Sequence, residues 1–155
     1  MNKQLPILTS NFASLITGDG YYVDKTEFIQ KLDSLNFSNI FFLRPRRFGK
    51  SLLLSMLEYY YGIQYKEKFD ELFGEYYIGQ PENTTPLKNS YHILKFNFSG
   101  IYTIAEEDTD EGFNSEIERG IQDFTTSYPL FTKEDIEKVL SVQGNVEMFK
   151  KFISL

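Results

Sequence analysis

An α/β fold, a parallel sheet flanked by helices, is what this sequence predicts, and three observations carry the prediction. The run "SNIFFL" (38–43) is short, continuously apolar and β-favouring, the pattern of a buried strand. "SLLLSMLEYYY" (51–61) is apolar nearly all round, the pattern of a helix buried on most faces. "YHILKFNFSG" (91–100) alternates Leu94, Phe96 and Phe98 with Lys95 and Asn97, the period of a strand with one less buried face.

The remaining elements follow in chain order. A Gly-Asp-Gly turn at 18–20 precedes the short apolar run Tyr21-Tyr22-Val23. Phe28, Ile29, Leu32 and Leu35 then fall at helical spacing, and Asp24 with Glu27 three residues on fits a capping box. Gly62 stands where a left-handed cap would end the helix at 51–61. "YKEKFDELF" (65–73) reads as a short amphipathic helix, and "IGQPENTTPLKNS" (78–90) as a surface loop. "IAEEDTDEG" (104–112) holds five carboxylates and no cation; its spacing fits no calcium loop, so a solvated acidic loop is expected. Ile117, Ile121 and Phe124 mark a helix. Thr132 with Asp135 resembles a capping box for another, carrying Ile136, Val139 and Leu140. Asn145 is expected to cap a last helix with Val146, Phe149 and Ile153 inward.

Composition narrows the function. A chain of 155 residues is long enough for one domain with a real core. With 15 Phe and 11 Tyr, that core is built from rings, and rings are also available to a partner. The absence of cysteine excludes disulfides and thiolate metal sites. The single histidine, His92, cannot build a histidine-rich metal site, and in a strand-like stretch it reads as structural. The N-terminal residues lack the apolar core and cleavage site of a signal peptide, and no apolar run approaches the roughly 20 residues that span a bilayer. The expected location is cytoplasmic. A net charge of −6 argues against general nucleic-acid coating, which phosphate neutralisation drives. Against that background Arg44, Arg46, Arg47 and Lys50 form a local basic cluster. It suits one anion held in one place.

The cluster lies between the predicted strand and the predicted helix, where a P-loop sits. Gly49-Lys50-Ser51 ends the loop as that motif requires, but Arg44 stands where its first glycine belongs. Pro45 cannot supply positive φ and pushes Arg44 towards extended backbone, so the chain must leave the strand by another route. The chemistry would rest on unpaired N–H groups at a helix N-terminus, on close backbone approach at Gly49, on the charge of Lys50, and on the Ser51 hydroxyl as a Mg²⁺ ligand. Arg46 or Arg47 could add charge-assisted contacts. The plain alternative is a surface loop with solvated arginines. An acidic partner for the metal is not evident. "HILKFNFSG" ends in Asn97 and Ser99, and Asp24, at the end of "YYVD", is better explained by helix capping.

Taken together, "YYVDKTEFIQKL", "FFLRPRRFGKSLLLSMLEYYYG" and "FDELFGEYYIG" resemble the AAA-ATPase-like family, whose P-loop domain is commonly followed by a nuclease-like domain of the PD-(D/E)XK superfamily. The resemblance is strong from about Leu5 to Gly79 and looser beyond. It implies a P-loop NTPase-type parallel sheet flanked by helices, incomplete over residues 1–155. The acidic Walker B strand and the nuclease-like domain are then expected beyond Leu155. It implies that Arg-Pro-Arg-Arg is the family's own version of the loop. The implied ATP and Mg²⁺ site is Arg44, Arg46, Arg47, Phe48, Gly49, Lys50 and Ser51, with Ser51 on the metal. Val23-Asp24-Lys25-Thr26 matches a second hallmark; Asp24 and Lys25 either approach the nucleotide or serve the helix start. The implied setting is a bacterial ATPase, with nucleic acid a partner only through the further domain and an oligomer open. Two other readings stand beside it. One is an interaction module whose basic loop grips nucleic acid or an acidic partner without hydrolysis. The other is a small-molecule phosphotransferase, for which no acceptor site is visible.

Overall fold

The computed structural model describes residues 9–35, 39–101, 106–142 and 144–155. The chain divides into two compact units, 1–92 and 93–155.

In the first unit, α1 (Phe12–Thr17) is capped by Asn11, whose side chain accepts the Ser14 N–H. Its Phe12 N–H donates to the buried Ser55 hydroxyl at 3.0 Å, tying α1 to the helix α3 (Lys50–Tyr61). Helix α2 spans Glu27–Leu35 and buries Ile29; Phe28 and Leu35 are largely exposed. After α3 come a 3₁₀ turn at Ile63–Lys68, helix α4 (Phe69–Phe73) and a second 3₁₀ turn at Tyr77–Gly79. The core here is Phe12, Ile29, Met56, Tyr60, Phe69, Leu72, Phe73 and Ile78. It is held by ring contacts, with Phe12 stacked on Phe73 at 5.1 Å and Tyr60 edge-on to Phe73 at 5.6 Å. The apolar girth of α3 is only partly used: Ser55, Met56 and Tyr60 are buried, whereas Leu54 faces solvent.

The second unit holds α5 (Glu106–Ser127), α6 (Lys133–Leu140) and α7 (Asn145–Ile153) around Ile121, Val139, Met148 and Phe152. The capping box at α6 is present in full: the Thr132 hydroxyl accepts the Asp135 N–H and the Asp135 carboxylate takes the Thr132 N–H. Gly120 of α5 gives way to a ring, since a Cβ there would stand 2.4 Å from Phe96.

The predicted parallel sheet is absent. Among the described residues there is no β-strand; Gly62 and Tyr91 form an isolated parallel bridge. Ser38 of the predicted strand lies outside the described residues; residues 39–43 form neither helix nor strand, and no described segment pairs with them in a ladder. Phe41 and Leu43 are 90% and 83% exposed, where a buried strand was expected. Residues 92–97 likewise form no ladder, and the predicted strand ends in a 3₁₀ turn at Phe98–Gly100. Extended backbone becomes sheet only when a neighbour takes its N–H and C=O groups, and each unit is closed by helices instead.

Smaller expectations also change. Gly62 is not left-handed; at φ −68° and ψ 124° it leads straight into the 3₁₀ turn. The stretch predicted as helix 65–73 is half 3₁₀, because the helix starts only at Phe69. Of the acidic stretch at 104–112, residues 104 and 105 lie outside the described residues, and from Glu106 the chain is helical rather than a loop. In α7 the cap residue is Gly144, not Asn145. Met148 and Phe152 point inward, while Val146 and Ile153 are 58% and 65% exposed.

Candidate functional site

The loop before α3 carries Arg44, Arg46 and Arg47, Lys50 opens the helix, and residues 41–49 are exposed throughout. It turns without the missing first glycine. Positive φ is supplied at Arg47 (66°) and Gly49 (73°), so an arginine adopts the conformation that glycine would hold, at a cost of roughly 1–2 kcal/mol. Gly49 is the residue before α3, and its carbonyl accepts the Leu53 N–H at 2.9 Å, starting the helix. A Cβ built on Gly49 would meet nothing within 4 Å, so the glycine is required by its φ and fronts open space.

The Lys50 ammonium turns back into the loop and donates to the Arg44 carbonyl at 2.7 Å and the Pro45 carbonyl at 3.2 Å. The loop thus wraps round a cation. The N–H groups of Lys50, Ser51 and Leu52 have no acceptor among the described residues, the ordinary state of a helix first turn and one that favours an anion. The Ser51 hydroxyl is exposed. The Arg44 guanidinium lies 5.7 Å from the centroid of the Phe42 ring. None of Arg44, Arg46, Arg47 or Lys50 forms an ion pair with a described carboxylate.

Asp24 and Thr26 have a different geometry from the predicted capping box. Helix α2 starts at Glu27, and Glu27 pairs with Lys31 at 3.1 Å instead of reaching back. One oxygen of Asp24 accepts both the N–H and the hydroxyl of Thr26 at 2.8 Å; the other accepts the Tyr77 N–H at 2.8 Å. Thr26 is fully buried, and its hydroxyl accepts the Ile78 N–H at 3.1 Å. The two side chains clamp the start of α2 to the turn at 77–79. Lys25 is exposed and its ammonium has no described partner. The loop residues and Gly49-Lys50-Ser51 therefore come together as one basic site, while both oxygens of Asp24 are already committed to protein donors.

Sequence reasoning missed Asn89. It is buried with φ 47°, and its amide donates to the Gly62 carbonyl at 2.9 Å and the Tyr59 carbonyl at 3.4 Å, serving the open end of α3. Its only signal was an Asn in a loop, a residue that tolerates positive φ.

The family model described as Predicted AAA-ATPase matches residues 6–152, nearly the whole chain. The chain belongs to this family. Among curated proteins, an uncharacterised protein from the vnfD 5' region of Azotobacter chroococcum mcd 1 is 50% identical over 56 residues, which cover 36% of this chain and 11% of that protein. The matched stretch is thus a small part of that relative's length. No solved structure matches significantly. At a coarse level, membership in this family suggests nucleotide binding. No helix among the described residues is long and apolar enough to cross a membrane.

Proposed function

We propose that the chain binds a nucleoside triphosphate, ATP with Mg²⁺, through the loop at 44–51. The observation that carries this reading is the loop that turns at Arg47 and Gly49, holds the Lys50 ammonium on the Arg44 and Pro45 carbonyls, and leads into α3, whose first N–H groups have no acceptor among the described residues. Family membership supports nucleotide use in general. In this reading the N–H groups of Lys50 to Leu52 hold one phosphate, and Lys50 neutralises it. The residues present fit the group: Gly49 leaves the approach open, and the exposed Ser51 hydroxyl is free to ligate a magnesium ion. Bound Mg²⁺ would supply neutralisation of phosphate charge.

Isothermal titration with Mg-ATP, wild type beside Lys50→Ala, tests it. Lys50 opens α3 outside the core, and alanine is a good helix former, so the variant keeps its circular dichroism spectrum. Binding is expected in the wild type and lost in Lys50→Ala. Equal binding by both proteins sinks the reading.

A further inference from the structure

We infer that the segment from Ile40 to Phe48 is a docking surface for an anionic phospholipid membrane. Its apolar side chains enter the headgroup boundary and its cations face the anionic headgroups. The inference goes beyond the nucleotide reading and does not depend on it. Three observations carry it. Phe41, Leu43 and Phe48 are 90%, 83% and 68% exposed, and Ile40 and Leu54 are more than half exposed. Large apolar side chains left together in water mark an interaction site. The stretch is also free of carboxylates: from Ser34 to Leu57 the sequence holds Arg44, Arg46, Arg47 and Lys50 but neither Asp nor Glu, in a chain with 22 of them. No described carboxylate pairs with those cations. Finally, the Lys50 ammonium reaches back to the Arg44 and Pro45 carbonyls at 2.7 and 3.2 Å. The two ends of the loop are thereby drawn together, and its cations are gathered beside the exposed apolar run.

The occupant follows from what this surface offers. Cations beside apolar side chains match an interface where anionic headgroups overlie hydrocarbon, and both terms add to the hold of a peripheral protein. A second copy is a poor match, because a two-fold contact through this face sets four cations against four. Single-stranded nucleic acid supplies anions, but Ile40, Leu43 and Leu54 offer no ring on which a base stacks. The net charge of −6 does not oppose the contact here. At physiological salt a charge acts over about 8 Å, so carboxylates farther off than that are screened from the headgroups.

The test is co-sedimentation of the full chain with vesicles, either of phosphatidylcholine alone or of three parts phosphatidylcholine to one part phosphatidylserine. Wild type should pellet with the mixed vesicles, stay in solution with phosphatidylcholine alone, and come off the mixed vesicles as salt rises. Phe41→Ser/Leu43→Ser should weaken vesicle affinity by about tenfold or more. Its circular dichroism spectrum should not change, since both side chains already stand in water. Arg46→Gln/Arg47→Gln should weaken the affinity by about thirtyfold, roughly fivefold for each charge. Lys50→Ala separates the two readings: it should lose Mg-ATP but only about fivefold in vesicle affinity. Three outcomes overturn the inference directly: no wild-type binding to mixed vesicles, equal binding to phosphatidylcholine alone, or a Phe41→Ser/Leu43→Ser variant that binds as wild type does. Two more overturn it by giving the surface to another occupant. One is binding of a fluorescent single-stranded oligonucleotide in place of vesicles. The other is a dimer, in place of vesicle binding, that Phe41→Ser/Leu43→Ser dissociates. Vesicle binding by a wild type that does not bind Mg-ATP leaves the inference standing and removes only the nucleotide reading.

Discussion

Thr26 is buried completely, and its hydroxyl both donates to Asp24 and accepts the N–H of Ile78, which is also fully buried. Replacing Thr26 by Val keeps the shape and removes the acceptor. The Ile78 N–H would then be buried without a partner, a loss of about 1–3 kcal/mol. Urea denaturation should show a lower midpoint for Thr26→Val, and Thr26→Ser should restore most of it. A Val variant as stable as wild type would mean that the clamp contributes nothing. The contrast between Thr26 and Lys50 shows which residues a sequence makes legible. The glycine-lysine-serine triplet declares its chemistry locally, because the helix it starts and the loop it ends are its own neighbours in the chain. The Asp24–Thr26 clamp closes on Tyr77 and Ile78, about fifty residues later, and no local pattern announces that partner. What local reasoning offered for Asp24 was a capping box, and the structure spends that carboxylate on a distant backbone instead.

Helix ends were legible where the cap is local, and helix faces were not where neighbours decide the phase. The Thr132–Asp135 box at α6 stands as the sequence indicated. In α7, both the set 146/149/153 and the set 148/152 satisfy a helical period, so the spacing alone cannot choose. The choice falls to the rings on offer: Phe152 packs edge-on to Phe124 at 5.6 Å and against Phe131, and this turns Val146 and Ile153 outward. The α6 cap gives a prediction with a pH signature. The Thr132 hydroxyl, hydrogen-bonded to Asp135, holds that carboxyl below its ordinary value. A carboxyl depressed on folding contributes stability above its unfolded pKa and loses it as pH falls through the folded one. Thr132→Ala should therefore lower stability near neutrality. The gap between variant and wild type should narrow as the solution is acidified below the ordinary aspartate range. A thermal-unfolding series from neutral pH downward would show this; a gap of constant size would remove the carboxyl from the account.

At the scale of the whole molecule, the missing sheet and the aromatic core are two sides of one composition. Apolar, β-favouring stretches such as 39–43 promise a strand, but a strand needs a partner, and local sequence does not report partners. Rings, in contrast, need only burial, and the first unit assembles them around α3. That has a consequence at high pH. Burial, the largest cause in each case, pushes the Tyr22 and Tyr65 hydroxyls up to about 12 and raises those of Tyr60, Tyr61 and Tyr76 as well. Tyr22 is raised further by the charge of Asp24, and Tyr61 by its hydrogen bond to Asp33. A tyrosine that ionises near 10 when unfolded but only near 12 when folded keeps its proton longer in the folded state. Between those values the unfolded chain binds fewer protons, so stability falls as pH rises; below 10 the same groups are neutral in both states and change nothing. Chemical denaturation at intervals from pH 9 to 11.5 should give a level midpoint at first and then a steady decline. Tyr22→Phe removes one of these groups, together with its hydroxyl's 3.2 Å contact to the Met56 sulfur and its hydrogen bond with the Lys25 backbone, so its decline should be shallower than that of wild type. A variant that follows the wild-type slope would show that the buried rings do not carry the alkaline limit of this fold.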